Sequence, residues 1–98
     1  MIELTEDAEQ QVYALQQHYL KKERFEAARN LRAALFDVSN RIERDPAAGL
    51  PAPTPYPQLA RHRRLWRKEG RYWFAYRTTP TLAITAVFYD TANIPKRL

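Results

Sequence analysis

The sequence contains no cysteine and only two histidines, His18 and His62. The absence of cysteine excludes disulfides and thiolate metal sites, and two imidazoles are too few for a typical side-chain metal site. We therefore expect no metal and no cofactor. A fold without such crosslinks must be stabilised by packing.

Long apolar stretches are also absent. No window holds the roughly 18 apolar residues that a membrane span needs. The N-terminal segment MIELTEDAEQ is acidic, which is unlike a signal peptide. A chain of 98 residues with 45% hydrophobic content is long enough for one domain. We therefore expect one domain spanning residues 1–98 of a soluble cytoplasmic protein, without a membrane partner.

Charge is distributed unevenly between the two halves of the chain. Residues 1–50 carry 7 Lys/Arg against 9 Asp/Glu, a net charge of −2, whereas residues 51–98 carry 9 against 2, a net charge of +7. A basic half of this kind attracts an anionic partner, either nucleic acid or an acidic protein. The sign of the charge does not distinguish between these two classes.

The first half of the sequence predicts a helical hairpin over residues 5–45. Thr5 is followed by three carboxylates, which is typical of a helix start. Apolar residues then recur at helical spacing, first at Ala8, Val12, Leu15 and Tyr19, and again at Ala28, Leu31, Leu35, Val38 and Ile42. The short polar segment 21–24 between the two runs indicates an antiparallel pair. The second helix should end before Pro46.

Residues 46–58, with the sequence PAAGLPAPTPYPQ, hold five of the seven prolines. This composition predicts an extended connector without regular structure. The connector could be a motif for a proline-binding domain, but a spacer between helices and sheet is the simpler interpretation.

The second half predicts an antiparallel sheet of three or more strands over residues 61–90. Strands are expected at 62–68, 71–78 and 81–89, with turns at Glu69-Gly70 and Thr79-Pro80, and with the third strand in a central position. A tail follows at 91–98. The fold class is therefore α+β, with an N-terminal helical hairpin packed on a C-terminal antiparallel sheet.

Alternation divides the aromatic second strand between two faces. Tyr72, Phe74 and Tyr76 share one face, and this face should pack on the helices because the opposite face carries arginines. The opposite face should be open and basic, with two exposed tryptophans; its members are His62, Arg64, Trp66, Lys68, Arg71, Trp73 and Arg77. Such a face suits an anionic or stacking partner. The alternative is that the tryptophans pack on each other or under the connector.

This layout resembles the ParE/RelE superfamily of type II toxin–antitoxin toxins. The features that carry the resemblance are the helical hairpin with alanine and leucine on its second helix, the segment Ile42-Glu43-Arg44-Asp45-Pro46 followed by Gly49, the basic strand, the aromatic strand and the last strand 82–89. The resemblance covers nearly the whole chain. It implies either of two activities, cleavage of mRNA on the ribosome or inhibition of DNA gyrase.

A RelE-like endonuclease would use Arg71, Arg77 and Tyr89 to bind and polarise the scissile phosphate. Family strands often begin Tyr-Arg-x-x-Tyr, whereas here Tyr72-Trp73-Phe74-Ala75-Tyr76 carries tryptophan at the arginine position. Tryptophan supplies no positive charge, and Asp90 next to Tyr89 would repel phosphate. The resemblance therefore favours the ParE-like activity, which has no catalytic residues.

A ParE-like toxin acts through a binding surface on its target, DNA gyrase. The basic sheet face and tail offer candidate residues for that surface, namely Arg64, Trp66, Arg71, Trp73, Arg77 and Arg97. The resemblance also implies an acidic cognate antitoxin that folds on the toxin in a hetero-oligomer. The alternatives are the RelE-like nuclease, with the ribosome and mRNA as partners, and a small basic α+β module without toxin activity.

Overall fold

Two N-terminal helices pack on a four-stranded mixed sheet, so the α+β class predicted from the sequence is confirmed. The computed structural model describes residues 1–53, 56–61 and 63–89. The strands and helices are β1 (Glu3–Leu4), α1 (Glu6–Lys21), α2 (Phe25–Arg44), β2 (Leu65–Glu69), β3 (Tyr72–Arg77) and β4 (Ala83–Tyr89). The sheet order is β1-β4-β3-β2, in which β2, β3 and β4 are antiparallel neighbours and β1 joins β4 in parallel.

Helix α1 begins and ends with well-formed caps. The side chain of Thr5 accepts a hydrogen bond from the amide of Ala8 at 3.3 Å, which confirms the predicted start. At the other end, the amide of Glu23 donates to the carbonyl of Leu20 and the amide of Arg24 donates to that of Tyr19, at 3.1 and 2.8 Å. This pair of bonds is the Schellman motif, which places Glu23 in the left-handed region at φ 55°.

Helix α2 supplies most of the helical side of the core. It ends at Arg44, before Pro46, as predicted. Its buried positions are Ala28, Leu31, Ala34, Leu35, Val38, Ser39 and Ile42. The Ser39 hydroxyl accepts a 2.8 Å hydrogen bond from the amide of Ile2, which holds the N-terminal segment against the helix. This segment contains β1, a strand that the sequence did not predict because two residues are too few to show alternation.

The face of the sheet that meets the helices is the one the alternation predicts. Tyr72, Phe74 and Tyr76 belong to the same buried cluster as the apolar residues of α1 and α2. The expectation that the last strand is central is also confirmed, since β4 lies between β1 and β3. Aromatic side chains therefore join the sheet to the hairpin.

Several strand boundaries differ from the expectation, including the end of β3 at Arg77 rather than residue 78 and the start of β4 at Ala83 rather than residue 81. Strand β2 begins at Leu65 rather than at residue 62, because Arg63 has a φ of 64° that interrupts an extended chain. The turn between β2 and β3 consists of Gly70 and Arg71, one residue later than predicted, with Gly70 at φ 60°.

The proline-rich connector is more ordered than predicted. In the described part of the chain the connector extends to Leu59 and contains two 3₁₀ helices, Pro46–Ala48 and Pro57–Leu59, each with proline in its first turn. Leu50 pairs with Trp66 through two backbone hydrogen bonds of 2.7 Å, so the connector covers the outer edge of β2. The expectation of a connector without regular structure was therefore wrong.

The predicted tail at 91–98 lies outside the described residues, and so do His62, Asp90 and Arg97. No helix in the described part of the chain has the length and apolarity required to cross a membrane.

Candidate functional site

The tryptophans of the predicted binding face are buried. Trp66 is 0% exposed and Trp73 is 5% exposed. They form a second apolar cluster with Ala75 and Phe88 on the sheet face opposite the helices. The rings of Trp66 and Phe88 stack with their centroids 6.1 Å apart. The prediction of two exposed tryptophans was therefore wrong, although both lie on the predicted face.

The cover over this face comes from the connector. Leu59, the last residue of the second 3₁₀ helix, packs against the tryptophan cluster, and Pro53 is also fully buried. The Arg64 guanidinium donates a hydrogen bond to the Leu59 carbonyl and lies 5.1 Å from the centroid of the Trp66 ring. Burial and the neighbouring Arg61 lower the pKa of Arg64 from its usual value. Of the two interpretations of the tryptophans, packing under the connector is the one observed.

Arg71 and Tyr89 come together at one end of the sheet. Tyr72 and Tyr89 are cross-strand partners, and Arg71 immediately precedes Tyr72. The Arg71 guanidinium donates a 3.3 Å hydrogen bond to the Tyr89 hydroxyl. The ring of Tyr89 meets that of Tyr72 edge to face, with centroids 5.5 Å apart. A guanidinium and a phenol at this spacing can both donate to one anionic group.

Arg77 lies at the opposite end of β3. Its cross-strand partner is Ala83, at the start of β4, and its Nε donates to the Thr81 carbonyl at 3.3 Å. At about 3.3 Å per residue, Arg77 is roughly 17–20 Å along the strand from Arg71. The three candidate catalytic residues, Arg71, Arg77 and Tyr89, therefore do not meet in one pocket.

A groove beside the Arg71–Tyr89 pair contains functional groups that the sequence did not indicate. It has a volume of about 680 Å³ and runs between the start of α2 and the β2–β3 turn. In its wall the hydroxyls of Tyr19 and Tyr72 are hydrogen-bonded at 2.6 Å, and the Arg24 guanidinium lies 5.4 Å from the centroid of the Tyr19 ring. Spacing placed both tyrosines in the core, but no sequence pattern shows that their hydroxyls meet.

The outer edge of β4 forms a second candidate surface. Strand β1 ends at Leu4, and no other strand among the described residues pairs with this edge beyond Ile84. Side chains replace the missing strand: the Gln11 side-chain oxygen accepts from the amide of Val87 at 2.9 Å, and the Thr5 hydroxyl donates to the Thr85 carbonyl at 3.4 Å. A groove of about 420 Å³ lies between α1 and this edge.

Neither the protein-family models nor the curated proteins give a match to this sequence.

In the part of the chain that the structure describes, no group of three or more His, Asp or Glu side chains could hold a metal ion. Three surfaces are suited to contacts with a larger partner. They are the sheet end with Arg71 and Tyr89, the opposite end of β3 with Arg77, and the edge of β4.

Proposed function

We propose that this protein is the toxin component of a type II toxin–antitoxin module, ParE-like, which inhibits DNA gyrase by binding it. The observation that carries this choice is the separation of Arg77 from Arg71 and Tyr89 along β3. Phosphate cleavage needs its charged groups around one reacting atom. A binding surface needs only that its residues face the partner.

The layout of the chain supports the family assignment. A helical hairpin, a segment with Pro46 and Gly49, a basic strand, an aromatic strand and a last strand follow one another in the described structure. Those are the features on which the resemblance to the ParE/RelE superfamily rests. The burial of Trp73 removes it from direct contact with a target, so the proposed contacts to gyrase come from Arg71, Arg77 and Arg64.

One observation favours the RelE-like endonuclease as a second candidate. The contact between Arg71 and Tyr89 retains a cation beside a phenol, the pair that such a nuclease would place on a phosphate. Tyr89→Phe distinguishes the two functions, since it removes the hydroxyl and preserves the packing of the ring on Tyr72. A nuclease should lose its activity in this variant, whereas a gyrase inhibitor should retain it.

The proposed antitoxin is an acidic protein whose disordered segment folds on the toxin. The +7 charge of residues 51–98 (9 Lys/Arg minus 2 Asp/Glu) favours such a partner. On the edge of β4, the Thr85 carbonyl bonds to the Thr5 side chain and the Val87 amide bonds to the Gln11 side chain, and an extended segment could replace these two bonds.

Expression in a bacterial host tests the proposal. We expect induction to arrest growth, and co-expression of the product of the neighbouring gene to restore it. Arg71→Gln and Arg77→Gln should each weaken the arrest, whereas Arg29→Gln, an exposed arginine on α2, should not. Normal growth after induction of folded protein would instead favour a basic module without toxin activity.

A further inference from the structure

The groove between the start of α2 and the β2–β3 turn contains a buried pair of hydroxyls. Tyr19 is 4% exposed and Tyr72 is 5% exposed, and both line the groove. Their oxygens are 2.6 Å apart, so one hydroxyl donates to the other. Two hydroxyls carry two hydrogens and their mutual bond uses one, so the accepting hydroxyl has a hydrogen left to donate.

No described residue accepts that second hydrogen. A buried donor without an acceptor costs about 1–3 kcal/mol, so such groups usually have a partner. Burial first, and then the hydrogen bond with Tyr19, raises the pKa of Tyr72 above its ordinary value. A tyrosine hydroxyl, with an ordinary pKa of about 10, is protonated at neutral pH, so Tyr72 has a hydrogen to donate there.

The first turn of α2 adds further donors to the same groove. Phe25, Glu26 and Ala27 line it, and the N-cap residue Arg24 makes no side-chain cap hydrogen bond. The first amides of a helix have no partners within the helix, and its N-terminus carries a partial positive charge. Three types of donor therefore border this groove: a phenol, free helix amides and the guanidinium of Arg24.

Two carboxylates, Glu23 and Glu26, also line the groove and offset the charges of Arg24 and Arg71. Net charge therefore does not select the ligand. Selection must come from directed hydrogen bonds, and the described donors need an acceptor that can receive several at once. A carboxylate or a phosphate has that capacity.

We propose that this groove binds an oxyanion, either a carboxylate or a phosphate, through the Tyr19–Tyr72 hydroxyl pair, the first turn of α2 and Arg24. The groove lies on the helical side of the sheet, away from the covered tryptophans. Its volume of about 680 Å³ accommodates a ligand larger than the anion itself. The proposal does not depend on toxin activity.

Titration of the full chain, followed by amide NMR at constant ionic strength, tests this site. The probes are inorganic phosphate and N-acetylaspartate, added separately. Saturable chemical-shift changes centred on residues 24–27 and 72 are expected with at least one probe. The probe that binds more tightly shows whether the site prefers a phosphate or a carboxylate. Shifts that do not saturate, or that are spread over all basic residues, would overturn the proposal.

Variants distinguish binding at this groove from non-specific attraction of anions to basic residues. Arg24→Gln and Tyr72→Phe should each weaken binding at least tenfold, whereas Arg29→Gln, on the same helix but outside the groove, should bind as the natural protein does. Arg24 is exposed, so its variant keeps the fold even if Tyr72→Phe loosens it. Equal binding by Arg24→Gln and Arg29→Gln would contradict the proposed site.

Discussion

The Tyr76 hydroxyl donates a 2.8 Å hydrogen bond to the carbonyl of Pro46, and this bond attaches the connector to the sheet. Gly49 lies directly against the same side chain. A Cβ atom added at Gly49 would overlap the Tyr76 hydroxyl and lie 2.8 Å from the Cβ of Leu65. The close approach of connector and sheet therefore requires a glycine at position 49.

Gly49→Ala should destabilise the fold. The backbone at Gly49 has φ −68° and ψ 160°, which alanine adopts freely, so the whole effect comes from overlap with Tyr76 and Leu65. We expect the free energy of unfolding to fall by about 1–3 kcal/mol, as for other overpacked sites. Chemical denaturation of the two proteins measures this difference.

Gly70→Ala is the matched control. No atom lies within 4 Å of a Cβ added there, but its φ of 60° makes alanine unfavourable. Its expected cost is about 1 kcal/mol, from the backbone alone. Gly49→Ala with unchanged stability would show that the connector does not lie against Tyr76.

Trp73→Ala should act mainly on stability. Because Trp73 is 5% exposed and packs with Trp66 and Phe88, truncation should cost about 3–5 kcal/mol. Lys68→Ala, an exposed change on the same face, should cost less than about 0.5 kcal/mol. A stable Trp73→Ala protein with impaired target binding would restore the exposed-tryptophan interpretation.

Glu23→Gly should stabilise the helical hairpin. Glu23 occupies the left-handed position of the Schellman motif at φ 55°, where side chains other than glycine are unfavourable. We expect a gain of roughly 0.5–1 kcal/mol, because relief of strain is partly offset by the greater freedom of glycine in the unfolded chain. Lys22 has an ordinary φ of −91°, so Lys22→Gly should not stabilise the hairpin. A higher melting temperature for Lys22→Gly than for Glu23→Gly would contradict this account.

Stability should decline in alkaline solution because of Tyr72. Burial first, and then the hydrogen bond with Tyr19, raises its pKa in the folded protein. The unfolded chain therefore loses this proton at a lower pH than the folded protein does. The contribution to stability is complete below about pH 10, the ordinary pKa of tyrosine, and is lost as pH rises further. Chemical denaturation at pH values from 8 to 11 should show that the free energy of unfolding falls more steeply with pH for the natural protein than for Tyr72→Phe. Equal slopes would contradict a raised pKa of Tyr72.

Local patterns in the sequence predicted most of the fold. The spacing of Leu31, Leu35 and Val38 predicted α2, and alternation placed Tyr72 and Phe74 on the helical face. Alternation does not show what covers the opposite face. Leu59 reaches the tryptophans from the connector, and periodicity carries no information on such a contact.

The candidate site was only partly predictable for the same reason. The Arg71–Tyr89 contact depends on the register that pairs Tyr72 with Tyr89, and that register follows from the β3–β4 connection and from the register shift between Ala75 and Tyr76. The separation of Arg77 follows from strand length. The Tyr19–Tyr72 bond depends on how the hairpin sits over the sheet, which the sequence alone does not define.

The most direct test of the proposed function is the effect of the purified protein on DNA gyrase. We predict that it inhibits supercoiling of relaxed plasmid in a dose-dependent way, that Tyr89→Phe inhibits equally well, and that Arg77→Gln inhibits less. Ribosomes programmed with mRNA should show no transcript cleavage in the same preparation. Ribosome-dependent cleavage that Tyr89→Phe abolishes, with supercoiling unaffected, would contradict the gyrase assignment and establish the nuclease.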